Sequence, residues 1–160
     1  MKRILLFVNV VVLAFLAPGV TRAQSNPFAG TWKLNVAKSK YTPGSGPQSQ
    51  TRTIEAQGDG IKVSNEGMAA DGSRVSYSYS AKYDGKDNPI SGTGVPNGAD
   101  TIAIKRVDAN TTEVTLKKAG KVAITARNAV SKDGKVTTVT GKGMDAKGKP
   151  TSNAQVWDRQ

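Results

Sequence analysis

The sequence predicts an all-β fold, a single antiparallel up-and-down β-barrel of about eight to ten strands. Short segments alternate apolar and polar side chains with a period of two, which is typical of half-buried strands. Turn dipeptides such as Asp71-Gly72, Asp84-Gly85 and Asp133-Gly134 separate these segments, because hairpin turns need residues that accept positive φ. Closing such a meander into a barrel removes its exposed edges, and a β-sandwich is the alternative.

The clearest strand covers 75–83, where Val and Tyr alternate with Ser. A short strand at 86–91 contains Pro89, which must lie at an edge or a bulge. Residues 36–50 are rich in Pro and Gly and predict a loop, so we expect no helical lid over the barrel. The other predicted strands cover 29–35, 50–57, 61–66, 100–107, 112–117, 122–130, 135–143 and 150–158.

The first residues predict a secretory signal peptide. Lys2 and Arg3 precede the apolar run Ile4 to Leu16, and Ala23 follows with small residues at the cleavage position. The alternative is a membrane anchor, but the run is shorter than the roughly 20 residues that a span needs. The predicted organisation is a signal peptide at 1–23, a lead-in at 24–28 and a barrel at 29–160. We expect export to the periplasm or the exterior, and no transmembrane segment after cleavage.

The composition excludes several chemistries. The chain has no Cys and no His, which excludes disulfides, haem ligation, Cys/His zinc sites and Ser-His-Asp catalysis. Aspartates such as Asp59 and Asp71 precede Gly and are explained by turns, so we predict no metal and no cofactor. The protein is therefore predicted not to be an enzyme. An isomerase or hydrolase that uses Tyr, Lys or carboxylates is the third alternative.

The chain is basic, with a formal net charge of +11. Lysines gather in the predicted hairpins near 117–121 and 142–149. One alternative function is therefore an interaction module with a packed interior, whose basic rim binds anionic polymers or surfaces. Aromatic residues do not alternate with these charges, so no specific nucleic acid partner is predicted. A monomer is favoured.

The opening of the predicted barrel, Phe28 to Leu34 (FAGTWKL), resembles the lipocalins and, more strongly, the fatty-acid-binding proteins of the calycin group. The continuation at 35–41, together with 83–87 and 131–135, is similar to small exported bacterial lipocalin-like proteins to which no function is assigned. The resemblance implies a ligand-binding barrel in which Trp32 closes one end and Arg159 stacks on it.

The resemblance also implies where this chain departs from the fatty-acid-binding proteins. Their last strand carries an Arg-x-Tyr pair that grips the ligand carboxylate, and alignment of the ends places Gln155 and Trp157 there. Glutamine cannot supply the charged bidentate hydrogen bond of arginine. We therefore expect a bias towards a neutral or hydroxylated ligand.

The sequence predicts an exported, non-enzymatic binding protein for a small hydrophobic or amphipathic molecule held inside the barrel. Arg52 and Arg106 alternate in phase with the apolar residues, and a buried arginine needs a partner or marks an anionic ligand group. The alternative is that both reach solvent near strand ends. The candidate ligand-binding residues are Trp32, Tyr77, Tyr79, Arg106, Leu116, Asn128, Gln155 and Trp157.

Overall fold

A computed structural model describes residues 26–145 and 147–160. The predicted signal peptide at 1–23 and the first two lead-in residues lie outside this part of the chain. The described residues form eleven strands and two single turns of 3-10 helix, at Val36–Lys38 and Pro96–Gly98. The strands are β1 (Gly30–Leu34), β2 (Lys40–Thr42), β3 (Ser49–Gln57), β4 (Gly60–Met68), β5 (Arg74–Lys82), β6 (Asp84–Thr93), β7 (Thr101–Asp108), β8 (Thr111–Lys118), β9 (Lys121–Val130), β10 (Val136–Met144) and β11 (Pro150–Arg159).

The strands form one antiparallel meander that closes on itself. From β3 to β11 each strand pairs with the next, and β1 pairs with both β3 and β11. The 3-10 turn at Val36–Lys38 separates β1 from the short β2, and β2 also pairs with β11. The result is a closed barrel of ten strands, so the predicted fold is confirmed and the sandwich alternative is wrong.

The tight connections follow from local turn chemistry. Ala119 and Gly120 join β8 to β9 with φ of 48° and 76°, the pair of positive values that a type I′ hairpin turn requires. In the turn between β9 and β10, the Asp133 carboxylate accepts a hydrogen bond from the backbone N–H of Lys135 at 3.1 Å. Asp133 therefore stabilises the turn, which is the role that the Asp-Gly dipeptide predicts for it.

Two segments differ in detail from the sequence-based expectation. The loop predicted at 36–50 contains β2, because Tyr41 pairs with Asn153 of β11. The strand predicted at 86–91 extends to the bounds of β6, and β5 pairs with it only between Ser76–Tyr79 and 90–93. The nitrogen of Pro89 has no hydrogen to donate, and it faces β5 at a position where the pairing of β5 with β6 has ended. The register shift between Asp84 and Asp87 lies close to it.

The barrel has a closed end and an open end. The chain before β1 covers the closed end, where Phe28 is buried beside Trp32 and its ring centroid lies 6.5 Å from that of Tyr83. The connections β4–β5, β6–β7, β8–β9 and β10–β11 surround the open end. Inward positions of β10 at that end are Gly141 and Gly143, so this half of the barrel has fewer side chains to fill it.

In the described part of the chain, no helix is long and apolar enough to cross a membrane. The same residues include no group of three or more acidic side chains placed to hold a metal ion.

Candidate functional site

A cavity of about 100 Å³ lies inside the barrel, towards its open end. Its walls come from the inward faces of most strands, because the period of two sends alternate side chains inside. Most of the lining is apolar or aromatic. The lining residues are Arg52, Tyr77, Tyr79, Pro96, Ile102, Val114, Leu116, Ile124, Ala126, Asn128, Val139, Asn153 and Gln155.

A wider depression of about 380 Å³ forms the mouth of this cavity. The two spaces share four lining residues, which are Pro96, Ile124, Asn153 and Gln155. The 42–47 segment with Pro43 and Pro47 borders the mouth on one side, and residues 94–97 border it on another. A molecule in the cavity is therefore able to extend into the mouth.

Arg52 is the one cationic side chain among the cavity-lining residues. Its Nε donates a hydrogen bond to Oδ1 of Asn65 at 2.8 Å, and its guanidinium carbon lies 4.3 Å from the ring centroid of Trp157. No carboxylate of the described residues forms an ion pair with it. Asn65 is only 1% exposed, and its Nδ2 has no acceptor within the described protein. The unpaired groups of Arg52 and Asn65 are therefore donors, whereas the buried side-chain oxygen of Asn153, which also lines the cavity, is an acceptor without a partner in the described protein.

Two tyrosines and a glutamine add polar groups to the cavity wall. Tyr77 is buried, and burial raises the pKa of Tyr79 to about 12, although the charge of Arg52 opposes this rise. The Gln155 side-chain oxygen accepts a hydrogen bond from the indole N–H of Trp157 at 3.0 Å. The Gln155 amide nitrogen is thus the part of that side chain left for another partner.

A second, smaller cavity of about 20 Å³ lies deeper in the barrel. Arg52 and Asn128 line both cavities, so they lie between them. Thr137 also lines the deeper space, and its buried hydroxyl has no partner within the described protein. The space is large enough for about one water molecule, which needs at least two polar partners.

The closed end is sealed by a second arginine–tryptophan pair. The guanidinium carbon of Arg159 lies 4.1 Å from the ring centroid of Trp32. Arg159 also donates to three backbone carbonyls, those of Gly134, Ala29 and Pro27. The indole N–H of Trp32 donates to the carbonyl of Phe28 at 2.9 Å. This stacking is the arrangement that the resemblance implied for Arg159.

Most candidate residues meet in one place, but one does not. Tyr77, Tyr79, Leu116, Asn128 and Gln155 line the main cavity, whereas Trp32 and Trp157 line the deeper one. Their role in ligand binding stays a prediction.

Arg106 lies elsewhere, exposed near the closed end. Its guanidinium carbon is 4.0 Å from the ring centroid of Tyr83, and it borders neither interior cavity.

The candidate set omitted Arg52, although its alternation with Ile54 was the available signal. It also omitted Asn153, which lies two residues before Gln155 on the same face of β11.

No protein-family model matches the chain, and no curated protein matches it. Solved structures do match. One is zebrafish ileal bile acid-binding protein complexed with cholic acid, with a TM-score of 0.50 and 11% identity, covering 84% of this chain and 99% of that one. Another is a redesigned β-barrel, mFAP0, bound to DFHBI, with a TM-score of 0.43 and 12% identity, covering 83% of this chain and 99% of that one. The chain has the fold of a calycin-like barrel.

Proposed function

We propose that the protein is a non-enzymatic binding protein that holds a small hydrophobic or amphipathic molecule inside the barrel. The observation that carries this proposal is the apolar interior cavity with its few convergent polar groups and its open mouth. The structural similarity to a bile acid-binding protein supports it. The basic, apolar beginning of the chain supports export, so we propose that binding takes place in the periplasm or outside the cell.

The size of the cavity limits the ligand. A dry cavity of about 150 Å³ holds a molecule such as benzene. The inner space of about 100 Å³ therefore suits a slender group, and the mouth of about 380 Å³ accommodates the remainder. Removing about 200 Å² of apolar ligand surface from water contributes about 5 kcal/mol. We therefore expect a straight-chain amphiphile to fit better than a broad ring system.

The lining favours binding over catalysis. The residues that border the main cavity include tyrosines, amides and Arg52 but no carboxylate. General acid–base catalysis works best with a group whose pKa lies near the operating pH. Burial moves the pKa of Tyr79 to about 12, which is away from that range. The cavity is thus suited to holding a molecule unchanged.

Calorimetric titration with decanol tests the proposal. Wild-type protein should bind decanol saturably at one-to-one stoichiometry, in low salt and in 0.5 M NaCl alike. Ala126→Leu adds three carbon atoms to a cavity-lining residue and should weaken binding at least tenfold. Ala129→Leu, on the outward face of the same strand, is the matched control and should change affinity less than twofold. Absence of saturable binding, or equal loss in both variants, would contradict the proposal.

A second candidate function is binding of anionic surfaces by the open rim. Lys118 and Lys121 flank the β8–β9 turn at that rim, and Val122 and Met144 are each 60% exposed there. Lysines beside exposed apolar side chains favour contact with an anionic membrane. The protein should sediment with phosphatidylglycerol vesicles and be released by 0.5 M NaCl. Sedimentation that salt does not change would argue against this candidate.

A further inference from the structure

The guanidinium of Arg52 has hydrogen-bonding capacity that the protein does not use. An arginine carries five N–H donors, and in this side chain only Nε has an acceptor in the described structure, the Asn65 oxygen. The terminal nitrogens face a region that contains Trp157 and the two cavities. The neighbouring Asn65 Nδ2 is likewise a buried donor without an acceptor. The unmet groups of Arg52 and Asn65 are therefore donors, and the one unpaired acceptor among the buried atoms of the main cavity lining is the side-chain oxygen of Asn153.

Burial of such a cluster is costly unless an acceptor completes it. A partly buried arginine without a carboxylate has lost hydration, and stacking on Trp157 replaces only part of it. Water in the cavity is able to fill the site when no ligand is present. A group with negative charge and several acceptor atoms matches the donors better than water does, because hydrogen bonds between ionised groups are stronger.

We infer that Arg52 is the receptor for the acidic head of an amphipathic ligand, so that the protein binds a straight-chain carboxylate head first. This inference rests on the proposed function. Arg52 lies between the main and the deeper cavity, which places the head at the inner end of the ligand site. The apolar walls formed by Ile102 and Leu116 line the path from there, so the alkyl tail points to the mouth.

The inference reverses the expectation drawn from Gln155. That expectation assumed that charge recognition belongs to the last strand, where this chain has Gln155 in place of the arginine of the fatty-acid-binding proteins. In the structure the Gln155 oxygen is engaged by Trp157, and the arginine that reaches the cavity comes from β3. The same tryptophan thus contacts both residues. A carboxylate bound at Arg52 would displace water and leave the Gln155–Trp157 hydrogen bond in place.

Calorimetric titration with a matched pair, decanoate and decanol, tests the inference at pH 7.5. Wild-type protein should bind decanoate at least tenfold more tightly than decanol. Arg52→Met keeps the length of the side chain and removes its charge, so decanoate affinity should fall at least tenfold and by a much larger factor than decanol affinity. Arg52→Lys should keep part of the preference. Arg127→Met, which alters an outward arginine on β9, should keep all of it.

The outcomes separate the two proposals. Equal binding of decanoate and decanol to wild-type protein would overturn the role of Arg52 and leave the proposed function standing. Binding of neither would overturn both. An undiminished preference for decanoate in Arg52→Met would place the anion elsewhere. If Arg52→Met does not fold, as judged by circular dichroism, the wild-type preference and the Arg52→Lys variant still decide the question.

Discussion

Two arginine–tryptophan pairs occupy neighbouring positions in the barrel, yet they differ in how completely they are satisfied. In the strand register, Trp32 lies opposite Arg52 of β3 on one side and opposite Arg159 of β11 on the other. Arg159 stacks on Trp32 and donates to three backbone carbonyls. Arg52 stacks on Trp157 at nearly the same distance, 4.3 Å, but donates only to Asn65.

The difference teaches what each pair is for. Backbone carbonyls are fixed acceptors, so a guanidinium that satisfies three of them binds the closed end of the barrel together. A guanidinium with unused donors beside an open cavity stabilises the fold less and is available to a ligand. The same two residue types therefore form a plug at the closed end and, as we propose, a receptor at the inner end of the main cavity.

The largest expected effect is on stability at the closed end. Arg159→Met leaves three carbonyl groups without their partner, each worth roughly 1–3 kcal/mol, so the free energy of unfolding should fall by about 3 kcal/mol or more. Arg52→Met should lower it less, by about 1–3 kcal/mol, because only one buried acceptor, the Asn65 oxygen, loses its partner. Urea unfolding followed by tryptophan fluorescence measures both. Equal losses in the two variants would remove the distinction between plug and receptor.

A smaller effect is expected at alkaline pH and concerns Tyr79 in the cavity. Its pKa is about 12 in the folded protein and about 10 when unfolded, so the folded state holds the phenolic proton more tightly. This contribution to stability is complete below pH 10 and is lost as the pH rises towards 12. The loss between pH 9 and pH 11 amounts to about 1.4 kcal/mol.

Two variants check this prediction by unfolding at both pH values. Tyr79→Phe should show a smaller decrease than wild-type protein, because the titrating group is gone. Arg52→Met should show nearly the same decrease as wild-type protein, because Tyr79 is already mostly protonated in the folded state at pH 11 and a further rise of its pKa adds less than about 0.1 kcal/mol. If Tyr79→Phe loses as much unfolding free energy between pH 9 and pH 11 as wild-type protein does, groups other than Tyr79 cause the loss.

Alternation along single strands predicted much of the site. Residues 75–83 showed Tyr77 and Tyr79 on one face, and the paired turn residues indicated hairpins that close into a barrel. These features are local, since a period of two and a turn dipeptide depend only on nearby residues. The stacking of Arg159 on Trp32 came from the resemblance, because no local pattern specifies it.

The arginines show where sequence reasoning ended. Arg52 and Arg106 both alternate with apolar neighbours, and only the cross-strand register separates them. Arg52 lies opposite Asn65 in a long regular hairpin, whereas Arg106 lies at a register shift near the closed end, beside Tyr83. The pairing of β2 with β11 is similarly non-local, so the composition of 36–50 did not reveal a strand. Whether a side chain reaches the cavity therefore depends on such pairings between strands and not on the pattern within one strand.

The most direct test compares the two tryptophans in one experiment. The chain has two Trp, so a ¹⁵N-labelled sample gives two indole N–H signals, which Trp32→Phe assigns. On titration with decanoate, the Trp157 signal should shift saturably at one-to-one stoichiometry, because its ring stacks on Arg52 and its indole N–H is bound to Gln155 in the wall of the main cavity. The Trp32 signal should move far less, since its N–H is bound to the Phe28 carbonyl at the plugged end. Equal shifts of both signals, a larger shift of Trp32, or no shift of either would contradict the account.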